Sequence, residues 1–584
     1  MEKWFIKQKH REKFPKTSLD LLTKTKLQIL YNRDIVDMKD IEDYITVPDA
    51  LLNDINTMKD YSVLKKYIDK VIEENLKVYI VGDYDVDGIM STSIFIKTFT
   101  ELGIDVSYKI PHRVEDGYGI NSTMVKDIVN EGGDLIITCD NGVQAFDAAK
   151  KAKELGIDLI ITDHHQIKSE DGNDILPDAL AVIDPLRKDC KYPFKDLCGA
   201  GIVFKICVDI LKKYNKLSVD LDLYDELISL AAFATICDVV NLIGENRYIA
   251  TKGILALRRT KNIGLNSLIE VSNINKNQID TYHLGFILGP RFNASGRLDT
   301  ASLGIELLIT DDAIKADSIA MELNDLNEER KSMTEDALKK VLSKINPEHL
   351  DEFIVEYVKG THESVAGIVA GRVKERFHRP TIVLTDAKNG LTGSGRSIDN
   401  LNMFKAISAC SSYLDKFGGH EMAAGISMQE ENLEEFKLDL NQYAKDNEID
   451  LSREISVDAL FPIALVDLRL LDMINSFRPF GKGNPEPLFA DRNLTLKNFR
   501  VFGKNKNVIK LEFVTNVNTT REAVLFQEED IFLQFIKDNY NDDIAYLLNN
   551  GKINMDIVYY PKLNEFRGVK NVDVVITNYR IARW

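Results

Sequence analysis

The stretch Val78-Tyr-Ile-Val-Gly-Asp-Tyr-Asp-Val-Asp-Gly88 decides how this chain folds. Four apolar residues make a short strand, a glycine ends it, and three aspartates at alternate positions, Asp83, Asp85 and Asp87, follow before a helical pattern begins. The same arrangement recurs downstream. The runs Val106 to Ile110, Leu135 to Thr138, Leu159 to Thr162 and Leu180 to Ile183 alternate with helical patterns of about ten to fifteen residues, the βαβ signature of a parallel sheet. Strands this short and aliphatic are expected to be buried on both faces.

Ligands of an open α/β sheet bind beyond the carboxyl ends of its strands, so residues just after different strands converge in space. Here those residues are Asp83 to Gly88, Asp140-Asn141-Gly142, Asp163-His164-His165 and Asp184-Pro185. Taken singly, Asp140-Asn141-Gly142 is turn chemistry and Asp184-Pro185 is a strand terminator. Their joint occurrence at successive strand ends points to a site. So many carboxylates repel one another unless cations neutralise them. Carboxylates with one or two imidazoles and no thiolate suit Mn²⁺ or Mg²⁺ better than a closed zinc site. A calcium-binding EF-hand loop starting at Asp83 would need a glutamate at its twelfth position, where Ile94 stands.

Outward from this core, helical periodicity dominates from Gly201 to about Leu308. A charged helix then runs from Asp311 to Lys344 with Ile319, Leu323 and Leu326 at helical spacing, which reads as a spacer. A second mixed region begins with a strand at Phe353 to Val358, continues through a helix near Val365 to Phe377, a strand at Thr381 to Leu384 and the glycine-rich Gly390 to Gly395, and ends near Asn447. The last hundred or so residues show alternating β patterns, at Leu494 to Val501, Val508 to Val514 and Asp573 to Ile576, that fit a small barrel. The predicted division is 1–70 as a basic, helical N-terminal segment, 71–308 as the parallel-sheet domain, 309–345 as the connecting helix, 346–447 as a second α/β domain and 448–584 as the barrel. A length of 584 residues at roughly 150 per domain allows that count.

The net charge of −17 argues against a passive nucleic-acid coat protein, but its distribution is uneven. The first thirty residues carry eight Lys/Arg against three Asp/Glu, and Arg478 to Lys510 carries eight against two, so two basic islands can track a polyanion while acidic clusters hold metal. The six cysteines contain no C-x-x-C pair, which removes both a disulfide framework and a zinc ribbon. No run approaches the length of a bilayer span and Met1 to His10 has no signal-peptide core, so a cytoplasmic protein without membrane contact is expected.

Asp83 to Gly88 together with Asp163-His164-His165 resembles the DHH phosphoesterase superfamily. Within it, Ala234 to Leu242, Gly289-Pro-Arg-Phe-Asn-Ala-Ser-Gly-Arg297, Phe417-Gly-Gly-His-Glu-Met-Ala-Ala-Gly425 and Phe480 to Pro487 resemble the RecJ family of single-strand-specific exonucleases. The resemblance runs from about residue 70 to the end and implies a parallel-sheet DHH domain, a long connecting helix, a DHH-associated α/β domain and an oligonucleotide-binding (OB-like) β-barrel. It implies a two-ion centre in which Asp140 bridges, Asp85 with Asp83 nearby holds one ion, and Asp87, His164 and Asp238 hold the other. His165 would stand beside the scissile phosphate with Asp163 behind the imidazoles. Arg113, Arg291, Arg297, Ser394 and Arg396 would clamp the substrate, with Gly418, Gly419 and His420 forming a turn that approaches it. On the barrel, Phe499, Phe502, Lys504 and Lys506 are candidates for contact with the strand.

The implied activity is metal-dependent 5′-to-3′ hydrolysis of single-stranded DNA to 5′-mononucleotides in recombination and repair, by a monomer, with a helicase and a single-strand-binding protein as candidate partners. The polarity comes from the family alone. The rival enzyme is a DHH phosphodiesterase for short RNA oligomers or cyclic dinucleotides, whose relatives generally lack the long helix and terminal barrel. Non-catalytic replication scaffolds of this fold lose metal ligands, and none is missing here.

Overall fold

In the computed structural model, which describes residues 2–15, 18–112, 116–217, 221–298, 300–503, 505–540, 542–566 and 568–582, the chain divides into two units. The larger comprises Leu52–Val240 and Gly244–Arg453, the smaller Met1–Leu51, Asn241–Ile243 and Glu454–Trp584.

In the larger unit five parallel strands form the first sheet: β1 (Val78–Val81), β2 (Val106–Lys109), β3 (Leu135–Cys139), β4 (Asp158–Thr162) and β5 (Ala181–Ile183). Their order is β2-β1-β3-β4-β5. Successive strands are therefore added on opposite sides of β1, and the switch point between β1 and β3 is the crevice where such folds place a ligand. All four residues of β1 and all five of β3 are buried, which is why these segments carry no polar alternation. Behind β1, Asp85 caps α1 (Val86–Glu101) by accepting from the amides of Asp87 and Gly88. A β-carbon on Gly88 would lie 2.3 Å from the Asp83 carbonyl oxygen, so only glycine lets the helix begin this close to the strand end.

Further helices include α2 (Gly199–Lys213), α3 (Leu221–Cys237) and α4 (Gly289–Leu298), the last preceded by a π-helical turn at His283–Leu288. The expected charged helix is α5, Ala313–Leu342, about 45 Å long at 1.5 Å per residue. Its first half buries Ala316, Ile319, Ala320 and Leu323. In its second half Ala337 and Val341 enter the core of the following domain with Val369 and Val383. That domain has the sheet β6 (Ile354–Tyr357), β7 (Thr381–Asp386), β8 (Leu391–Arg396), β9 (Leu414–Gly419) and β10 (Ala423–Met428), ordered β9-β10-β8-β7-β6, with α6 (Glu363–Phe377) between the parallel pair β6 and β7.

The smaller unit holds a closed five-stranded barrel of β11 (Phe489–Phe502), β12 (Val508–Val514), β13 (Thr520–Leu525), β14 (Asn554–Phe566) and β15 (Val569–Ile581). Neighbours run β11-β12-β13-β15-β14, and β14 pairs again with β11 to close it. Ile509, Leu511 and Phe513 point inward at period two, each contributing about 1.5–3 kcal/mol by leaving water. Ile29, Leu30 and Tyr31 of the helix Leu21–Asn32 share this core.

Candidate active site

The strand ends of the first sheet bring the acidic residues together. Asp140 follows β3 at φ 62°, a left-handed position that turns its carboxylate back over the sheet. His164 Nε2 lies 3.0 Å from Asp140 Oδ1, 3.5 Å from Asp87 Oδ2 and 3.9 Å from Asp238 Oδ2. Two groups of potential ligands result, Asp87 with His164 and Asp238, and Asp140 with His164 and His165, each with donor atoms within 4.8 Å of one another. Asp238 reaches this place from the end of α3, with Val239 in the left-handed region directly after it.

Burial and mutual repulsion mark the electrostatics. Asp83 is pushed up to about 7 by burial and then by the charge of Asp85, and its Oδ2 is buried without a hydrogen-bond partner. Burial raises Asp140 well above the carboxylate range, and the charges of Asp87, Asp85, Asp238 and Asp163 add to it. Asp87 is raised by burial even though its oxygens accept from the amides of Gly199 and Ala200, each at 2.7 Å, at the start of α2. Gly199 is obligatory there, since a β-carbon would lie 2.8 Å from Asp140 Cβ. An unpartnered buried carboxylate oxygen inside a cluster of carboxylates and imidazoles is the donor set a hard divalent cation satisfies.

Asp163 differs from the others. Burial works to raise it, but the hydrogen bond and charge of His165 prevail and its pKa falls. Its Oδ1 accepts from the amides of His164 and His165 and lies 2.8 Å from His165 Nδ1, while Oδ2 accepts from Val143 N. Asp163 therefore fixes the backbone and ring of the histidine pair. Burial lowers the His165 pKa, yet Asp163 outweighs it and brings it to about 9, whereas burial dominates at His164 and lowers it. Asp184 is raised to about 8 by burial, with Oδ1 accepting from Leu186 N and Oδ2 unpartnered. It belongs to neither group of potential ligands.

Tyr118 has a place here that the sequence reading did not assign. Its hydroxyl donates to the Asp140 carbonyl at 2.7 Å and lies 3.2 Å from His165 Nε2. Flanking Gly117 and Gly119, both at positive φ, are the local signal that could have drawn attention to it. Beside these residues a cavity of about 780 Å³ is lined by Tyr118, Ser122, Gln144, Asp163 and His165, and by His420 of the second α/β domain.

The other expected substrate residues are distributed around this centre. Arg291 donates to the Ile287 carbonyl and to Asn324 Oδ1, and Arg297 donates to the Ser364 carbonyl at the start of α6. Arg396 donates to Ser394 Oγ at 2.8 Å, and no carboxylate pairs with it among the described residues. Burial lowers its pKa, the mark of a cation held without a partner. Both side chains face Gly367 of α6, where a β-carbon would come within 2.7 Å of Arg396 Nη2. Gly418 and Gly419 end the edge strand β9 at the hairpin that continues through His420, and Gly419 sits at φ 151°, where a β-carbon would lie 2.4 Å from the Ala423 carbonyl oxygen. Arg113 and Lys504 lie outside the described residues. Phe499 is half-buried against Phe532 in the barrel core, unlike the exposed Phe502.

A parallel sheet with an acid and imidazole nest at its switch point, followed by a second α/β domain that sends a histidine toward it, defines a DHH-type phosphoesterase. Residues 77–235 match the DHH family N-terminal domain, residues 350–446 the DHHA1 domain and residues 457–578 the RecJ OB domain. The single-stranded-DNA-specific exonuclease RecJ of Bacillus subtilis (strain 168) is 33% identical over 588 residues, covering 100% of this chain and 71% of that protein. The RecJ exonuclease of Salmonella typhimurium is 34% identical over 523 residues, 86% of this chain and 87% of that one. The crystal structure of Thermus thermophilus RecJ in complex with Mn²⁺ superposes with a TM-score of 0.78 at 25% identity, covering 100% of this chain and 80% of that one. This chain belongs to the RecJ family of single-stranded-DNA-specific exonucleases. Among the described residues no helix is long and apolar enough to cross a membrane.

Proposed function

We propose that this protein is a metal-dependent exonuclease that shortens single-stranded DNA from its 5′ end and releases 5′-mononucleotides in recombination and repair. The observation that carries the chemistry is the approach of Asp87, His164 and Asp238, and of Asp140, His164 and His165, to within 4.8 Å, beside Asp83 and Asp85, with Asp83, Asp87 and Asp140 raised by burial and neighbouring charge. Asp85 and Asp83 would hold one Mn²⁺ or Mg²⁺, Asp87, His164 and Asp238 the other, and Asp140 both. Such a pair supplies an activated water and neutralises charge developing on the phosphoryl and leaving oxygens.

The protein's own residues do the rest. Asp163 holds His165 by its Nδ1, so that the ring stands at a fixed angle to the cavity, where a phosphate would share Nε2 with the Tyr118 hydroxyl. Tyr118 steadies the Asp140 backbone and the same imidazole. Arg396 and Ser394, backed by α6, offer a forked donor set with no internal carboxylate to compete, which suits a terminal phosphate. Arg291, Arg297, Gly418, Gly419 and His420 extend the substrate contact, and Arg113 belongs to it by sequence. In this division 71–308 carries the chemistry, 309–345 spaces the α/β parts, 346–447 holds the reacting end, 448–584 binds the strand, and 1–70 adds basic residues. The sequence has no G-x-x-x-x-G-K-[ST] loop to power strand separation, so a helicase supplies it and a single-strand-binding protein shares the substrate, while the nuclease acts as a monomer in the cytoplasm.

Digestion of one oligonucleotide labelled at either end tests this reading. With Mn²⁺ the 5′ label should leave at once as mononucleotide while the 3′ label shortens progressively, and chelator should stop both. A 3′ label released first, or turnover in chelator, would overturn it.

A further inference from the structure

Two large aromatic side chains stand exposed beside the nest with no role in the chemistry above. Tyr282 is 59% exposed and Phe286 73%, and their rings stack on each other with centroids 5.4 Å apart and planes 26° from parallel. Sequence explains the unusual backbone that carries them. The turn His283–Leu288 takes the wider π winding just before Pro290, whose ring would crowd the Phe286 carbonyl in a regular helix. That turn packs on the edge of the nest: the Leu284 carbonyl lies 3.5 Å from Cys237 Sγ, and Asp238 is the next residue. In the other direction it runs directly into α4 with Arg291 and Arg297. The segment leading in carries Asn273, Asn275, Asn277 and Gln278, and between residues 273 and 288 the large apolar side chains left exposed are Tyr282 and Phe286 alone. That footprint suits flat, individually presented groups rather than an amphipathic helix of another protein.

We propose that Tyr282 and Phe286 form a stacking platform for nucleobases of the single strand beyond the scissile nucleotide. The proposal rests on the reading of the protein as a single-strand nuclease and assigns it a base-contacting site. The rings are already stacked too closely to admit a base between them, so a base lies on the outer face of the pair. Stacking is indifferent to base identity, because every base has a π face, and suits an enzyme that must degrade any sequence.

Steady-state kinetics of the full-length protein on an oligothymidylate of about twenty nucleotides test it. In Tyr282→Ala/Phe286→Ala, KM should rise about tenfold or more while kcat stays within about twofold and the melting temperature is unchanged. Phe286→Trp should keep the parental KM, with its added tryptophan emission quenched by the oligonucleotide. On a strand of the same length made of abasic sites, the parent protein should show the high KM and the double variant no further loss. An unchanged KM on oligothymidylate would overturn the platform and leave the rings to a protein partner. An equal fold-loss on the abasic strand would overturn it too, since the rings would then be serving the backbone. Turnover of oligothymidylate by the parent protein is the control, and its absence would sink the nuclease reading itself.

Discussion

The first sheet and the C-terminal barrel both concentrate charge, and they do it in opposite ways. At the sheet's strand ends Asp83, Asp87 and Asp140 are buried among like charges, and burial with that repulsion raises their pKa values. On the barrel, Lys497, Arg500 and Lys506 are exposed and Lys510 half-buried, and all four are already paired: Lys497 with Glu512, Arg500 and Lys510 with Glu522, and Lys506 with Glu529. Asp163 is balanced by His165, whereas the like charges of Asp83, Asp87 and Asp140 call for a partner from outside the chain. Exposed opposite charges require none, and a surface pair is worth about 0–1 kcal/mol. The comparison separates a charge pattern that demands a ligand from one that only permits it.

The largest effect should come from the buried side. Asp140→Ala removes the carboxylate nearest His164, and turnover on single-stranded DNA should fall about a thousandfold or more while the protein stays folded, since the change also relieves repulsion. A labelled-strand assay alongside a thermal melt checks both halves. Mn²⁺ should in turn stabilise the metal-free protein by about 2.7 kcal/mol at a concentration one hundred times its dissociation constant, read as an upward shift of the melting temperature that Asp140→Ala reduces.

Asp184 sharpens the buried side without touching a proposed ligand. Its folded pKa of about 8 is above its unfolded value, so the native state holds a proton that the unfolded chain gives up. Stability therefore falls as pH rises from about 4 to about 8, and the full cost remains above that. Asp184→Asn should melt higher than the parent above pH 8 and converge with it near pH 4. Curves that stay parallel across that window would show that Asp184 is not a protonated buried acid.

The smallest effects belong to the barrel. Lys497→Gln and Lys510→Gln should each change stability by less than about 1 kcal/mol. If these lysines also meet phosphates, each should reduce the slope of log affinity against log salt by about one. An unchanged slope would assign them to Glu512 and Glu522 alone.

The contrast also explains what could be read from the sequence. Asp83 to Gly88 and Asp163 to His165 were legible because short apolar strands announce their own ends, and the chemistry lies at those ends. Asp238 was reached only through family resemblance, since it follows a helix and no strand pattern points to it. Tyr118 and the amides of Gly199 and Ala200 were not legible, because their roles depend on which loop the fold lays over Asp140 and Asp87. In the barrel the strands at Leu494 to Val501, Val508–Val514 and Asp573 to Ile576 are legible by their alternation, whereas β13 is not. β13, Thr-Arg-Glu-Ala-Val-Leu525, buries only its last three residues and shows no alternating signal. The inward turn of Phe499 onto Phe532 and the docking of the helix Leu21–Asn32 onto the barrel core are set by partners distant in sequence.

If the strand-end nest is a centre for two metal ions that Asp140 would share, the chain must bind two of them. Counting Mn²⁺ bound to the full-length protein by equilibrium dialysis, with Asp140→Ala beside it, tests this most directly. The parent should hold two ions per chain, and the variant should lose at least one together with turnover. One ion or none in an active parent, or two in Asp140→Ala, would contradict it.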